Sequence, residues 1–322
     1  MSTQKPIFLE DSIMRKGLPA TAGSKLLQGF NAPFDAAVAE RLRDRGFALE
    51  SGPVAAEFGW ASLPPKASAA VAAVADGRAD VALFNDFAGT TGDLAASKGL
   101  YTIRPTYGTV SRYGLIPSVC SMDVISIVCK DLRQGFAVLS VIAGHDDRDG
   151  VSEPETSYSC APSPDALTVA ALDEASLPLP QVMTILASAE LSGNLSRYDG
   201  VKFGFRASDF KGLDDLYRKT RTEGFSIDSK LALVVGSMVL SEGLYQKRYH
   251  KAMQIRRKLY DQMNALLADA DVLTVPPSIK GGSLLAPLCG LPSVTLPDGT
   301  RLLAARKREN VLCAAAERGN PV

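Results

Sequence analysis

Histidine, cysteine and clustered lysine or arginine are the first places to look for chemistry in this sequence. The two histidines, His145 and His250, lie far apart and sit in no metal-ligand pattern, so both read as loop or surface residues and no metal is expected. Five cysteines, Cys120, Cys129, Cys160, Cys289 and Cys313, are scattered without a C-x-x-C pair. That points to free thiols in a reducing cytoplasm rather than to a disulfide framework. The run KRYHKAMQIRRK carries six Lys or Arg over 247–258. On a helix it reads as a solvated face, with an RNA-facing patch as the sharper alternative. Lys+Arg and Asp+Glu number 35 each, so the formal net charge is zero and direct RNA binding is not expected.

The elements that must position any site read as an alternation of strands and helices. PIFLED, FALESG, ADVALFND and LYTIRPTYG read as strands, the last stopped by Pro105 and Gly108. FDAAVAERLRDRG is an amphipathic helix through Ala37 and Leu42 with Gly46 as its cap, and ASAAVAAVADG is a small-residue helix ending at Gly77. AGTTGD reads as a turn, and DLRQGFAVLSVIAGHD as a helix. From 146 to 180 the composition turns to Pro, Ser and Asp, and an exposed loop is expected near 146–165. Residues 229–269 read as almost continuously helical. ADVLTVPPS and the two arms around Pro297-Asp298-Gly299 are strands. The pattern predicts an α/β protein with a parallel or mixed sheet. The 322 residues, 46% hydrophobic and 22% charged, suffice for a large core and exclude a disordered chain. The opening MSTQKPIFLEDSIMRKG has no apolar stretch of a signal peptide, and no apolar run is long enough to span a bilayer.

The stretch YTIRPTYGTVSRYGLIPSVCSMDVISIVCKDL carries a specific resemblance, with RPTYGTVSRYGLI from Arg104 to Ile116 followed by Ser121-Met122-Asp123. It resembles the amidase-signature family, and within it the A subunits of glutamyl-tRNA(Gln)/aspartyl-tRNA(Asn) amidotransferases. IAGHDDRDGVS, LSGNLSRYDGVKFGFR, LYRKTRTEGF and ADVLTVPP continue the likeness in order. The resemblance covers nearly the whole chain. It implies one amidase-signature domain over 1–322, with helices flanking a central twisted mixed sheet and without the family's leading helices.

The family hydrolyses amides with a Ser–Ser–Lys triad. A neutral lysine is the base, one serine relays the proton, and a second serine attacks the carbonyl to form an acyl-enzyme. Backbone N–H groups in a glycine-rich turn hold the oxyanion. Carried over position by position, the lysine of K-D-N-I-x-x-K-G falls on Glu10, in Glu10-Asp11-Ser12-Ile13-Met14-Arg15-Lys16-Gly17. The relay serine falls on Lys66 and the nucleophile on Thr90, 24 positions later. The oxyanion turn becomes Phe87, Ala88 and Gly89, where bulk replaces glycine. Arg221, in Lys219-Thr220-Arg221-Thr222-Glu223-Gly224-Phe225, falls on the arginine that holds the glutamine carboxylate, whereas the acid for the amino group is missing from VPPSIKGGSLLAPLCGLP.

All three triad positions have changed, so the resemblance implies a catalytically inactive member that serves as a binding or scaffold subunit. The alternative is an active glutaminase subunit with a rewired site, in which Lys66 serves Thr90. An adjacent carboxylate at Glu10 would instead keep Lys66 protonated. The implied partners are amidotransferase B- or C-type subunits or a second copy. A glutamine-like molecule is the implied ligand if the pocket persists. Neither a cofactor, direct tRNA contact nor a membrane is expected.

Overall fold

The computed structural model describes residues 5–60, 67–155, 166–172 and 178–318. Among them nine strands form one sheet in the order β2-β1-β3-β5-β4-β8-β9-β7-β6. The strands are β1 (Ile7–Glu10), β2 (Leu49–Gly52), β3 (Val81–Asn85), β4 (Tyr101–Arg104), β5 (Ile125–Cys129), β6 (Val169–Ala171), β7 (Val272–Val275), β8 (Ser293–Thr295) and β9 (Arg301–Leu303). β1 runs parallel to β2 and β3, and β6 to β7. The central strands β5, β4, β8 and β9 pair antiparallel. The sheet is therefore mixed, as expected.

Alternation along the strands sorts the sheet into two unlike faces. One carries Leu9, Leu83, Ile103, Ile127, Val294 and Leu302, and packs under α1 (Ala37–Asp44) and α4 (Leu132–Ile142). The opposite face begins as apolar, with Phe8, Ala82, Phe84 and Val128 against the small-residue helix α2 (Ala69–Ala75). Toward the middle strands it turns polar: Ser126, Thr102, Arg104, Ser293, Thr295 and Arg301 are all buried there. α3 (Thr91–Ala96) and α5 (Leu179–Asn194) belong to this side. So do α6 (Gly212–Gly224), α7 (Ile227–Val239), the short α8 (Glu242–Leu244) and α9 (Lys251–Leu266). A six-residue π-helical turn, Tyr245–His250, joins α8 to α9. α10 (Leu285–Cys289) seals the bottom of that layer, and α11 (Glu309–Glu317) returns to the apolar face.

Three local outcomes differ from the sequence pattern. AGTTGD is a turn only as far as Thr90, because α3 begins at Thr91. The Pro-, Ser- and Asp-rich stretch from 146 to 180 contains, beyond the loop expected near 146–165, β6, a three-residue strand that a propensity reading passes over and that pairing to β7 stabilises. The start of that stretch is also well held. Asp146 and Asp149 are buried, and they bind Ser111 at 2.7 Å and Arg112 at 3.0 Å. In the basic run, Arg256 is inward rather than solvated: it donates to Leu288 O at 2.8 Å and to Ser121 Oγ at 2.9 Å. Lys247, Arg248, Lys251 and Lys258 are exposed.

Candidate active site

Parallel pairing of β1 with β3 brings their C-terminal ends together, and ligand sites in α/β sheets sit at such ends. The last residue of β1 is Glu10, and the turn leaving β3 is Asp86-Phe87-Ala88-Gly89-Thr90. The N-terminus of α2 arrives at the same place. Its cap, Ser68, accepts from Val71 N at 3.3 Å and donates to Glu10 Oε1 at 3.2 Å, while Ala70 N approaches that oxygen at 3.4 Å. Burial is the main force on Glu10 and drives its pKa up to about 7, with the charges of Asp11 and Asp86 adding to the rise. Hydrogen bonds from Ala70 and Ser68 oppose this without overcoming it.

The turn after β3 is fixed by its own side chains. Asp86 Oδ1 accepts from Gly89 N at 2.7 Å, an Asx-type closure. Gly89 has φ +71°, and a Cβ there would meet Ser283 O at 2.4 Å, so both backbone and space demand glycine. Phe87 is buried and stacks on Trp60, with ring centroids 6.1 Å apart at 17°. Ala88 and Thr90 are buried beside it. Trp60 is in turn held by a hydrogen bond from its indole N–H to Asp228 O at 3.2 Å.

Two cavities adjoin this turn. The inner one, about 40 Å³, is lined by Glu10, Ser68, Asp86, Phe87, Ala88 and Thr90 among others. It has room for a water molecule or two, not for an amide substrate. The outer cleft is about 560 Å³ and includes Thr90, Trp60, Ser188, Leu231, Val235 and Leu284 in its walls. Thr90 lines both.

Behind the turn lies the polar half of the sheet face. Arg104 donates to Asp86 O and, at 2.8 Å, to Met122 O, and it faces Asp86 Oδ2 at 3.4 Å. Ser126 Oγ reaches Asp86 Oδ2 at 3.3 Å. Arg301 pairs with Asp93 at the first turn of α3, and burial lowers its pKa to about 10, partly offset by Asp86. These residues were missed in the sequence. A usable signal was present: I-S-I in β5, T-I-R in β4 and S-V-T in β8 alternate polar with apolar inside strands buried on both faces.

Of the sequence-derived site residues, the structure brings Glu10, Phe87, Ala88 and Thr90 around one cavity, with Gly89 in the turn between the last two. Lys66 lies outside the described residues, although its neighbour Ala67 lines the inner cavity. Arg221 is elsewhere engaged. Its guanidinium donates to Leu195 O and Tyr198 O, both at 3.0 Å, and lies 4.9 Å from the Phe225 ring centre. It lines neither cavity. Among the described residues no group of three or more His, Cys, Asp or Glu could hold a metal ion.

Comparison with known proteins bears on the family and the fold. The amidase family model matches residues 68–181 and 166–282. The A subunit of the glutamyl-tRNA(Gln) amidotransferase of Lachnoclostridium phytofermentans is 33% identical over 370 aligned positions, covering 91% of this chain and 75% of that protein. Its namesake from Pseudothermotoga lettingae is 31% identical, covering 91% and 79%. Among solved structures, the corresponding protein of Thermotoga maritima superposes with a TM-score of 0.73 at 21% identity, covering 98% of this chain and 83% of that one. The peptide amidase of Stenotrophomonas maltophilia gives 0.75 at 22%, covering 98% and 82%. Those two structural likenesses bear on the fold, and the sequence matches on descent: the chain belongs to the amidase family and is similar to the A subunits of glutamyl-tRNA(Gln) amidotransferases.

Proposed function

We propose that this chain is a non-hydrolytic amidase-family protein, retained as a binding or scaffold subunit. The observation that carries this reading is the inner cavity. Where the family resemblance puts a lysine base, a buried carboxyl titrates near pH 7 in a space of about 40 Å³. A carboxyl held by Ser68 and Ala70 and flanked by Asp11 and Asp86 fits a closed structural site better than a proton relay to Thr90. Relatives named as amidotransferase subunits suggest that this chain too works with other polypeptides, of B- or C-type or a second copy, in the cytoplasm. No helix among the described residues is long and apolar enough to cross a membrane.

A second reading, an active amidase with Thr90 as nucleophile, draws support from Thr90 facing both cavities and from the retained Gly89 turn. The test is ammonia release from glutamine and simple primary amides by the purified chain, both by itself and mixed with an intact B-type partner. No turnover above background is expected. Loss of groups that act as a unit removes most of a rate enhancement that is typically at least about 10⁶. Turnover that vanishes in Thr90→Ala would establish the second reading.

A further inference from the structure

A third cleft lies at the edge of the sheet where β2 is the terminal strand. Its volume of about 410 Å³ falls within the usual range of small-molecule sites, and it shares no lining residue with the two cavities at Thr90. Three short segments converge on it. The chain after β1 brings Arg15 and Lys16, α1 brings Arg43, and the entry into β2 brings Phe47 and Leu49.

The charges in its wall do not balance. Arg15, Lys16 and Arg43 are set against one carboxyl, Asp35. Both oxygens of that carboxyl are already engaged, Oδ1 by Lys16 N at 2.8 Å and Oδ2 by the Arg43 guanidinium. Arg15 is half-buried and donates from Nη1 to neutral acceptors, Leu49 O and Ser51 Oγ, both at 3.1 Å. Burial lowers its pKa; the charge of Asp35 opposes this only in part, and Arg43 adds to it. Of the other acids that act on Arg43, Glu40 is bound to Arg148 at 2.8 Å, and Asp44 is exposed outside the cleft wall. Three cations against one carboxylate leave a surplus of two positive charges. A concave wall of one sign concentrates the opposite ion. The rest of the wall is apolar, with Phe47, Leu49 and Leu18.

We infer that this cleft binds an organic phosphate monoester, its head held among Arg15, Lys16 and Arg43 and its apolar or aromatic body against Phe47 and Leu18. A phosphate monoester carries close to two negative charges near neutral pH, which matches the surplus. Guanidinium forks meet phosphate oxygens in pairs, and Nε and Nη2 of Arg15 and Nη2 of Arg43 make no hydrogen bond among the described residues. A carboxylate, with a single charge, would leave the surplus half unmet. The inference is independent of the reading of the Thr90 site and holds whether or not the chain hydrolyses amides.

The experiment is isothermal titration calorimetry of the full chain with phenyl phosphate, inorganic phosphate and phenol in turn. Phenyl phosphate is expected to bind with a dissociation constant of about 0.1–1 mM, ordinary for a ligand of its size. Inorganic phosphate, lacking the apolar body, should bind at least about tenfold more weakly, and phenol, lacking the charge, should give no saturable heat. Arg15→Gln should weaken phenyl phosphate at least about tenfold, the worth of a charge-assisted hydrogen bond. Lys16→Gln should weaken it at least about threefold; the Lys16 side chain is exposed, so the fold tolerates this change even if Arg15→Gln does not fold. Lys258→Gln removes the same charge from the exposed side of α9 and should leave the affinity unchanged. No saturable heat with phenyl phosphate, equal affinity for inorganic phosphate, or saturable binding of phenol overturns the inference. So does undiminished affinity in Lys16→Gln or in folded Arg15→Gln, or an equal loss in Lys258→Gln, which would reduce the effect to net charge.

Discussion

The inner cavity and the outer cleft meet at Thr90 and are built in opposite ways. The inner one is small and carries two carboxyls, Glu10 and Asp86, in its wall. Its central group, Glu10, has its hydrogen bonds made by Ser68 and Ala70. The outer one is large and mainly apolar. In a working amide hydrolase the two functions must meet, because a substrate held in the cleft has to present its carbonyl to a competent base and nucleophile. On the proposed reading, the binding space here is roomy while the chemical space is small. On that reading the two parts of the site have changed separately, since the turn that joins them depends on Gly89 and Asp86 rather than on the triad positions.

The sharpest way to break this contrast is to neutralise Glu10. Its carboxyl is raised from 4.5 to about 7 in the folded chain, so the folded state takes up a proton that the unfolded chain has already lost between those values. Stability is therefore unaffected by this group below about pH 4.5, falls as pH rises through the window from 4.5 to 7, and stays reduced above it. Glu10→Gln keeps the shape and removes the charge. It should raise stability at pH 8 by up to about 3 kcal/mol while changing little at pH 4.5. Urea unfolding midpoints of the two proteins at both pH values measure it. A variant that is less stable than the parent at pH 8 would mean that a cation, Lys66 foremost, holds Glu10 ionised.

The outer cleft is sharpened by loosening its wall. The wall helix α7 is anchored at its N-terminus by the buried Glu57, whose Oε2 accepts from Ser226 N at 2.9 Å and Ser226 Oγ at 2.5 Å. Its Oε1 accepts from Ser24 Oγ at 2.6 Å. Glu57→Ala strands those donors and should cost about 2 kcal/mol, read as a lower urea midpoint at unchanged slope. An effect below about 0.5 kcal/mol would show that α7 is held by its packing on α5 instead, where Gly236 lets the helices approach.

The sequence was informative where one strand or one turn decides the geometry. Glu10 closes β1, Thr90 closes the turn that follows the adjacent parallel strand β3, and the local pattern already marked both strands. It was poor where meaning depends on a distant partner. Arg221 looks like any ligand-holding arginine until its carbonyl partners, Leu195 and Tyr198, are in place. β6 escaped for a similar reason: three residues carry little local preference, and pairing to β7 supplies the rest.

The smallest effect is expected from the most direct repair, the combined variant Glu10→Lys, Lys66→Ser and Thr90→Ser. It restores the residue types of the family triad, yet it should leave ammonia release from glutamine at background. A lysine at position 10 would be introduced beside Asp11 and Asp86, the two carboxylates that now act on Glu10. Carboxylates that close hold an ammonium protonated, and a protonated amine cannot accept a proton from serine. Phe87 and Ala88 would still fill the turn, with Phe87 fixed by its stack on Trp60, so the space of about 40 Å³ would remain too small for a carboxamide and an attacking hydroxyl together. Single reversions should do no better, because groups that work as a unit give little until all are present. Substantial glutaminase activity in the triple variant, abolished by changing position 90 to alanine, would show that the inner cavity opens on its own once the triad is rebuilt. The closed space would then be a consequence of the three substitutions rather than an independent barrier.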